Sequence, residues 1–405
     1  MSEAFFPGFD DLDVAELSSR AGAKWARAVD EGLLPAWVAD MDFPVAPVIR
    51  SALHEQIESD LGYPDWVRGT PLREEFSARM RNRYGWEPDP ESVREQTDLI
   101  QALQLILHLS TRRGDSVVVQ TPNYPPFLAS IRRMGLQQLD LPFVDRGDGW
   151  VLDMEVFEQR VARHRPRVLV LVNPHNPTGR VHTREELEQI ADIAERFDLL
   201  VVSDEIHAEI VYEPHVHIPF ASLSPDAAGR TVTITSAGKS FNLAGLRCAV
   251  VHYGPERLLR RRDAEPFDLY GAVSVPGVVA TLAAWRHGDA WQRDLLQVLE
   301  RNRRHADAVL RERIPAARHH LPEGTYLTWI DAGPLGIDDP VERVREHGRI
   351  LVEGGLRFGS GCRNQLRINF ATSAGLLDMI LDGVTSALDS GIAPPRAPVS
   401  VPRSL

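Results

Sequence analysis

A single lysine stands in T-S-A-G-K-S-F-N-L-A-G-L-R, Thr235 to Arg247, among small, hydroxylated and apolar residues. An amine in such a setting can act as a nucleophile and, once freed, as a base. Two further segments hold groups that such chemistry would use: N-P-H-N-P-T-G at 173–179 and D-E-I-H at 204–207. Taken singly, each has an ordinary reading. Asn, Pro and Gly make turns, a carboxylate after a strand often caps a helix or joins an ion pair, and an isolated lysine is more often a solvated charge. Arg247, eight residues after the lysine, could pair with any of 57 carboxylates. Order is what separates these residues from the background, because each segment closes a run that reads as a strand.

Those runs are S-V-V-V-Q (116–120), V-L-V-L-V (168–172), L-L-V-V-S (199–203), T-V-T-I-T (231–235) and C-A-V-V-H-Y (248–253). They are β-branched and almost continuously apolar, as strands buried on both faces are. Between the second and third, T-R-E-E-L-E-Q-I-A-D-I-A-E-R-F opens with a capping-box pattern from Thr183 to Glu186. It sets Leu187, Ile190, Ala194 and Phe197 on one helical face. This rhythm predicts an α/β large domain whose mixed, mainly parallel sheet is flanked by helices. In such sheets ligands bind beyond the carboxyl ends of the strands. An amide, a carboxylate and a lysine would therefore converge on one crevice.

Past residue 285 the texture changes. W-Q-R-D-L-L-Q-V-L-E-R-N-R-R-H-A-D-A-V-L-R-E-R reads as one long helix, with strands to follow at 325–330 and 365–370. A smaller α+β domain is expected there. The predicted division is a large domain over 47–285, a small one from 1–46 and 286–392, and a Pro-rich mobile tail at 393–405.

Bulk composition narrows the partners. At 405 residues, 43% hydrophobic and 25% charged, the chain has the make-up of an ordinary globular protein of two domains. A net charge of −12 argues against nucleic acid and anionic membranes as partners. Two cysteines, Cys248 and Cys362, imply no disulfide framework and fit a reducing cytoplasm. The acidic N-terminus lacks the layout of a signal peptide, and no apolar run approaches the roughly 18 residues of a membrane span. H-V-H (215–217) and H-H (319–320) lack clustered carboxylates or cysteines, so no metal site is expected. G-S-G (359–361) is too short for a dinucleotide loop.

The segments W-V-A-D-M-D-F-P (37–44), L-G-Y-P-D-W-V (61–67), N-P-H-N-P-T-G-R-V (173–181), S-D-E-I-H-A-E-I (203–210) and K-S-F-N-L-A-G-L (239–246) carry a resemblance. Together they resemble the fold-type I pyridoxal-phosphate enzymes of the class I/II aminotransferase group. Within that group the likeness is closest to the MalY/PatB-type cystathionine β-lyase, or cysteine-S-conjugate β-lyase, branch. The likeness runs over nearly the whole chain up to the tail.

The resemblance implies pyridoxal 5′-phosphate as cofactor and assigns roles residue by residue. Lys239 would hold the cofactor covalently and then move the substrate's Cα proton. Asp204 would sit against the pyridine nitrogen, Asn176 would donate to the ring 3′-oxygen, and Tyr124 would stack on the ring. His207 would contact the same oxygen or pack beneath the cofactor. The backbone N–H groups of Leu99 and Ile100, the hydroxyls of Ser236 and Ser240, and Arg247 would cup the phosphate. Tyr63 would reach the phosphate of a neighbouring subunit, which implies a homodimer with shared active sites. Arg367 would grip the substrate carboxylate, with Asn176 and the backbone near Ala39 closing that site and Trp37 lining the side-chain pocket. Arg363 reads as a surface charge.

Two residues depart from the branch pattern. Asp98 stands where a glycine is usual, so its carboxylate must point away from a phosphate or cap the helix. Arg247 stands where lyase-branch sequences often have a neutral residue and aminotransferases keep the arginine. The implied function is β-elimination from L-cystathionine or another L-cysteine S-conjugate, giving thiol, pyruvate and ammonia. The alternative is an aminotransferase acting on an L-amino acid, because the two share nearly every site residue. A non-catalytic pyridoxal-binding regulator is the weaker alternative, given that Lys239, Asp204, Asn176 and Arg367 are all present and no basic DNA-binding segment is appended.

Overall fold

The computed structural model describes residues 8–59, 61–66, 69–266 and 269–389. The Pro-rich tail at 393–405 lies outside the described residues. The chain divides into two units, one built from Val45–His175 and Arg180–Gln292. The other takes the residues up to Pro44, the short insert Asn176–Gly179, and those from Arg293 onward.

An eight-stranded mixed sheet organises the first of these units. Thr231–Thr235, Leu200–Asp204, Val168–Val172, Ser116–Thr121 and Gln137–Asp145 lie side by side in that order, each parallel to its neighbours. Trp150–Leu152 closes one edge antiparallel to Gln137–Asp145. At the other edge Ala249–Tyr253 lies antiparallel between Thr231–Thr235 and Val93–Gln96. Two antiparallel steps turn Val93–Gln96 back into the direction of the parallel set. The residues after Gln96 therefore emerge at the same sheet edge as those after Thr235.

Burial accounts for the composition of these strands. Every residue of Val168–Val172, Thr231–Thr235 and Ala249–Tyr253 is buried. Each fully buried Val, Leu or Ile side chain contributes roughly 1.5–3 kcal/mol. Leu99–Ser110 packs on this sheet through Leu103, Ile106 and Leu107. The capping box at Thr183 forms as expected: Glu186 N–H donates to Thr183 Oγ1 at 3.3 Å, and Thr183 N–H donates to Glu186 Oε2 at 2.8 Å. The helix runs Arg184–Arg196 and buries Leu187, Ile190, Ile193 and Ala194. Phe197 is its half-buried C-cap rather than part of the packed face, and the guanidinium groups of Arg165 and Arg196 cover its ring.

The second unit holds a four-stranded antiparallel sheet ordered Arg318–His319, Leu327–Asp331, Gln365–Asn369, Glu353–Gly354. The strand expected from 325 begins at Leu327 because Thr325 adopts a left-handed backbone, φ 69°. Leu34–Pro35 pairs in parallel with Ile350–Leu351, which ties N-terminal residues to C-terminal ones. Ala374–Leu388 packs its apolar face on this unit's core beside Ile330, Ile350 and Ile368. Asp289–Arg313 is the long helix read from the sequence.

Candidate active site

Adjacent parallel strands deliver four of the expected groups along one sheet edge. Ser236 and Lys239 follow Thr231–Thr235, Asp204 ends Leu200–Asp204, and Tyr124 follows Ser116–Thr121; Val168–Val172, which lies between the last two, is followed by Asn173. Val172 pairs with Asp204, and Asp204 pairs with Ile234, so the strand ends are level. The backbone N–H of Asn173 donates to the Asp204 carbonyl at 3.0 Å.

Lys239 is half-buried on the one-turn helix Ala237–Ser240. Ser236 caps that turn. Its Oγ accepts from the Gly238 N–H at 2.9 Å and donates to the Cys248 carbonyl at 2.6 Å. The Ser236 proton is therefore held by the backbone, and donation to a phosphate would require it to leave Cys248. On the other side of the lysine, fully buried Phe241 stacks on Trp291 at 6.0 Å and 22°. The guanidinium of Arg79 lies 5.7 Å from the Phe241 ring, within cation–π range. The segment bearing the amine is thus pinned on both sides.

The two carboxylates of D-E-I-H differ sharply. Glu205 accepts from Ser203 Oγ at 2.8 Å and from the Phe220 N–H at 3.1 Å, and it meets His217 Nε2 at 3.1 Å. Asp204 is equally buried, yet its carboxylate accepts one hydrogen bond among the described residues, from the Ile206 N–H at 3.1 Å. Burial is the main cause that pushes its pKa up to about 7, and the Glu205 charge adds to it. The Ile206 N–H and the Lys239 ammonium act in the opposite direction. A buried carboxylate in this state is stabilised by any cation placed against it.

Helix Leu99–Ser110 opens at the same edge. The N–H groups of Leu99 and Ile100, in its first turn, have no acceptor within the helix. Asp98 is the N-cap: its Oδ1 accepts from the Gln101 N–H at 2.8 Å. Its Oδ2 pairs with Arg247 Nη2. Arg247, in the left-handed region at φ 51°, caps the short helix Ala244–Leu246. The acidic residue expected to be awkward beside a phosphate thus does two things, capping the helix and engaging the arginine expected to bind that phosphate.

Half-buried Tyr124 packs edge-on against Phe127 at 5.6 Å, and its backbone N–H donates to Asn123 Oδ1 at 2.7 Å. His207 is buried, and Tyr63 is fully exposed.

Ser240 is buried at the end of the one-turn helix that carries Lys239, and the remaining expected residues belong to the other unit, where they meet one another. Arg367 is 3% exposed. Its Nη1 donates to Asn176 Oδ1 at 2.9 Å and its Nη2 to the Trp37 carbonyl at 2.7 Å. Trp329 and Glu353 flank it in register, and the Phe358 ring lies 5.0 Å from its guanidinium. Two residues along the strand, Asn369 Nδ2 donates to the carbonyls of Val38 and Asp40, while Tyr326 donates its hydroxyl to the Ala39 carbonyl. Trp37 lies under the Arg27 guanidinium and donates its Nε1–H to the Lys24 carbonyl. Residues 37–40 are thereby fixed carbonyl by carbonyl.

Asn369, Tyr326, Lys24 and Asp42 escaped the sequence reading. Asp42 accepts from Lys24 Nζ at 2.8 Å and from Trp25 Nε1 at 2.7 Å, all three residues being buried. The acidic residue inside the otherwise apolar M-D-F-P was the available signal.

The family profile described as aminotransferase class I and II matches residues 38–384. The chain belongs to the aminotransferase class I and II family. Among relatives within this family, the cystathionine beta-lyase PatB of Bacillus subtilis (strain 168) is 32% identical over 88% of this chain and 92% of its own length. The crystal structure of OvoB superposes with a TM-score of 0.88 at 35% identity, covering 96% of this chain and all of that one. The pyridoxal-phosphate-bound C–S lyase from Staphylococcus hominis superposes with a TM-score of 0.85 at 27% identity, over 94% of this chain and 99% of its own. The architecture is that of the fold-type I members of the aminotransferase family, a mixed sheet clad in helices with a second α+β unit.

Proposed function

We propose that the protein is a pyridoxal-phosphate-dependent carbon–sulfur β-lyase. It would cleave L-cystathionine or another L-cysteine S-conjugate to a thiol, pyruvate and ammonia. One observation carries the reading: a buried, cation-seeking carboxylate and a neighbouring amine, Asp204 and Lys239, in a chain that matches a cystathionine β-lyase over most of its length.

The residues fit the cofactor. Asp204 offers a protonated pyridine nitrogen the anionic partner it needs, and the nitrogen offers Asp204 the cation it lacks. The free N–H groups of Leu99 and Ile100, with Arg247, suit a phosphate. The Nδ2 of Asn176 is left to donate, because Arg367 engages only its Oδ1.

When bound, pyridoxal phosphate supplies an electron sink for the pair left at the substrate's Cα. Lys239 Nζ takes the Cα proton, and the carbon–sulfur bond breaks with the pair leaving on sulfur. The enamine so released takes up water to give pyruvate and ammonia. Arg367 holds the substrate carboxylate, its guanidinium pre-aimed by Asn176 and the Trp37 carbonyl. Tyr124 and His207 would help hold the cofactor, Tyr124 at its ring and His207 at the ring oxygen or beneath it, and the backbone near Ala39 and Trp37 would border the substrate. A homodimer that contributes Tyr63, a 47–285 catalytic domain and a cytoplasmic location complete the proposal. The exposure of Tyr63 and the two unbridged cysteines support these points.

The test is incubation with cystathionine or an S-alkyl-cysteine in the absence of any keto acid, following pyruvate and free thiol. Lys239→Ala should abolish product together with the cofactor's visible absorbance. Amino-group exchange that requires an added keto acid, with no thiol released, would replace the lyase by an aminotransferase.

A further inference from the structure

At the opposite end of the eight-stranded sheet lies a cleft of about 440 Å³ that the reaction does not use. It sits at the amino ends of parallel strands. Asp115 precedes Ser116–Thr121, Arg167 precedes Val168–Val172, and Leu200 opens Leu200–Asp204. The last residues of helix Leu99–Ser110 and the start of helix Glu256–Asp263 complete its wall. The helix that begins at the catalytic edge thus ends here, roughly 18 Å away at 1.5 Å per residue.

The charge of this cleft runs against that of the chain. Arg112, Arg167, Arg257 and Arg261 line it against a single carboxylate, Asp115, in a protein of net charge −12. Asp115 Oδ2 already accepts from the Arg112 backbone N–H at 2.9 Å and lies 3.9 Å from Arg167 Nε, the limit of an ion pair. Among the described residues no carboxylate pairs with Arg112, Arg257 or Arg261. On the same helix, but outside the cleft, Arg260 and Arg262 are paired with Glu256 and Asp263. An ordinary solvated face would alternate its signs in that way; the cleft does not.

The lining also limits what could bind. The hydroxyls of Ser110 and Thr111 are turned back to the Ile106 and Leu107 carbonyls. The guanidinium groups are then the principal side-chain donors, and they suit phosphate oxygens in a bidentate fork. Beneath them Leu109 and Leu258 are buried and Leu200 half-buried, so the floor is apolar. The volume falls within the few hundred Å³ typical of small-molecule sites.

We propose that this cleft binds a small anion carrying at least two phosphate groups on a compact apolar or planar body, the chemistry of a nucleoside polyphosphate. The arginines take the phosphates and the leucine floor takes the body.

The test is calorimetric titration of the cofactor-loaded, full-length protein with metal-free ATP and with pyrophosphate at fixed salt. Cofactor loading keeps the catalytic phosphate cup filled. Saturable one-to-one binding is expected, tighter for ATP than for pyrophosphate. It should weaken at least tenfold in Arg257→Ala/Arg261→Ala, whose β-elimination rate without anion stays unchanged. Arg260→Ala, on the same helix but outside the cleft, should bind as the parent does. The proposal is overturned by no saturable binding of either anion, by equal binding in the double variant, or by an equal loss in Arg260→Ala.

Discussion

Arg367 Nη1 lies 2.9 Å from Asn176 Oδ1 while its Nη2 lies 2.7 Å from the Trp37 carbonyl. The guanidinium is thus oriented by two acceptors before any substrate arrives. Both of these acceptors are neutral, and the planar guanidinium suits a carboxylate in a bidentate fork. A lysine would keep the charge but lose the planar fork. Arg367→Lys is expected to raise KM for the thioether by about a hundredfold, or about 2.7 kcal/mol, with a much smaller change in kcat. Steady-state kinetics separate the two. A fall in kcat with KM untouched would remove Arg367 from substrate binding.

Asp204 couples stability to pH. Its folded-state pKa, about 7, stands above the ordinary carboxylate value of 3.8 because burial penalises the charge. A raised folded-state pKa means stability that is complete below pH 4 and lost as pH rises towards 7. Over that window the cofactor-free protein should lose a few kcal/mol to this group. Urea unfolding of the cofactor-free protein from pH 4.5 to 8 should show the decline, and Asp204→Asn should flatten it. Loading the cofactor should also flatten it, since a cation at the ring nitrogen favours the carboxylate. Equal slopes in parent and variant would show that Asp204 titrates normally.

Asp98 and Arg247 form an ion pair at the place proposed for the cofactor phosphate. An anion bound at the Leu99 and Ile100 N–H groups lies within one helical turn of the Asp98 carboxylate. It meets both repulsion from that charge and competition for Arg247. An exposed ion pair such as this one contributes only about 0–1 kcal/mol of its own, so repulsion should dominate. Asparagine keeps the N-cap and removes the charge. Asp98→Asn is expected to tighten pyridoxal phosphate about tenfold in absorbance titrations of the cofactor-free protein, and Arg247→Gln to loosen it. Loosening in Asp98→Asn would mean that the carboxylate orients the arginine instead.

Asp42 bears on folding more than on chemistry. Removing it strands the buried Lys24 ammonium, 4% exposed, without its carboxylate, and leaves the Trp25 indole N–H without its acceptor. Breaking a buried pair in this one-sided way costs about 3–5 kcal/mol. Asp42→Ala should therefore unfold at distinctly lower urea, while Lys24→Met/Asp42→Leu, which removes both charges, should recover much of the loss.

The strands and the capping-box helix were legible because their signals are local. Continuous β-branched runs marked Val168–Val172 and Thr231–Thr235, and Thr183 with Glu186 marked the start of Arg184–Arg196. Local patterns misplaced what local geometry ended: Thr325, at φ 69°, delayed a strand, and Phe197 capped a helix instead of joining its face. The order of Asn176, Asp204 and Lys239 along the chain was likewise readable, since each stands at or shortly after the end of a strand.

By itself the sequence determined which elements form and which residue types stand at their ends, because hydrophobic period and capping act over a few residues. It could not say that Glu205 is saturated by Ser203, His217 and Phe220 while Asp204 is left short of partners. Nor could it say that Asp98 would meet Arg247, 149 positions away, or that Arg367 would lean on Asn176, 191 positions away. Those outcomes depend on burial and on contacts between distant segments, and only the tertiary structure decides them.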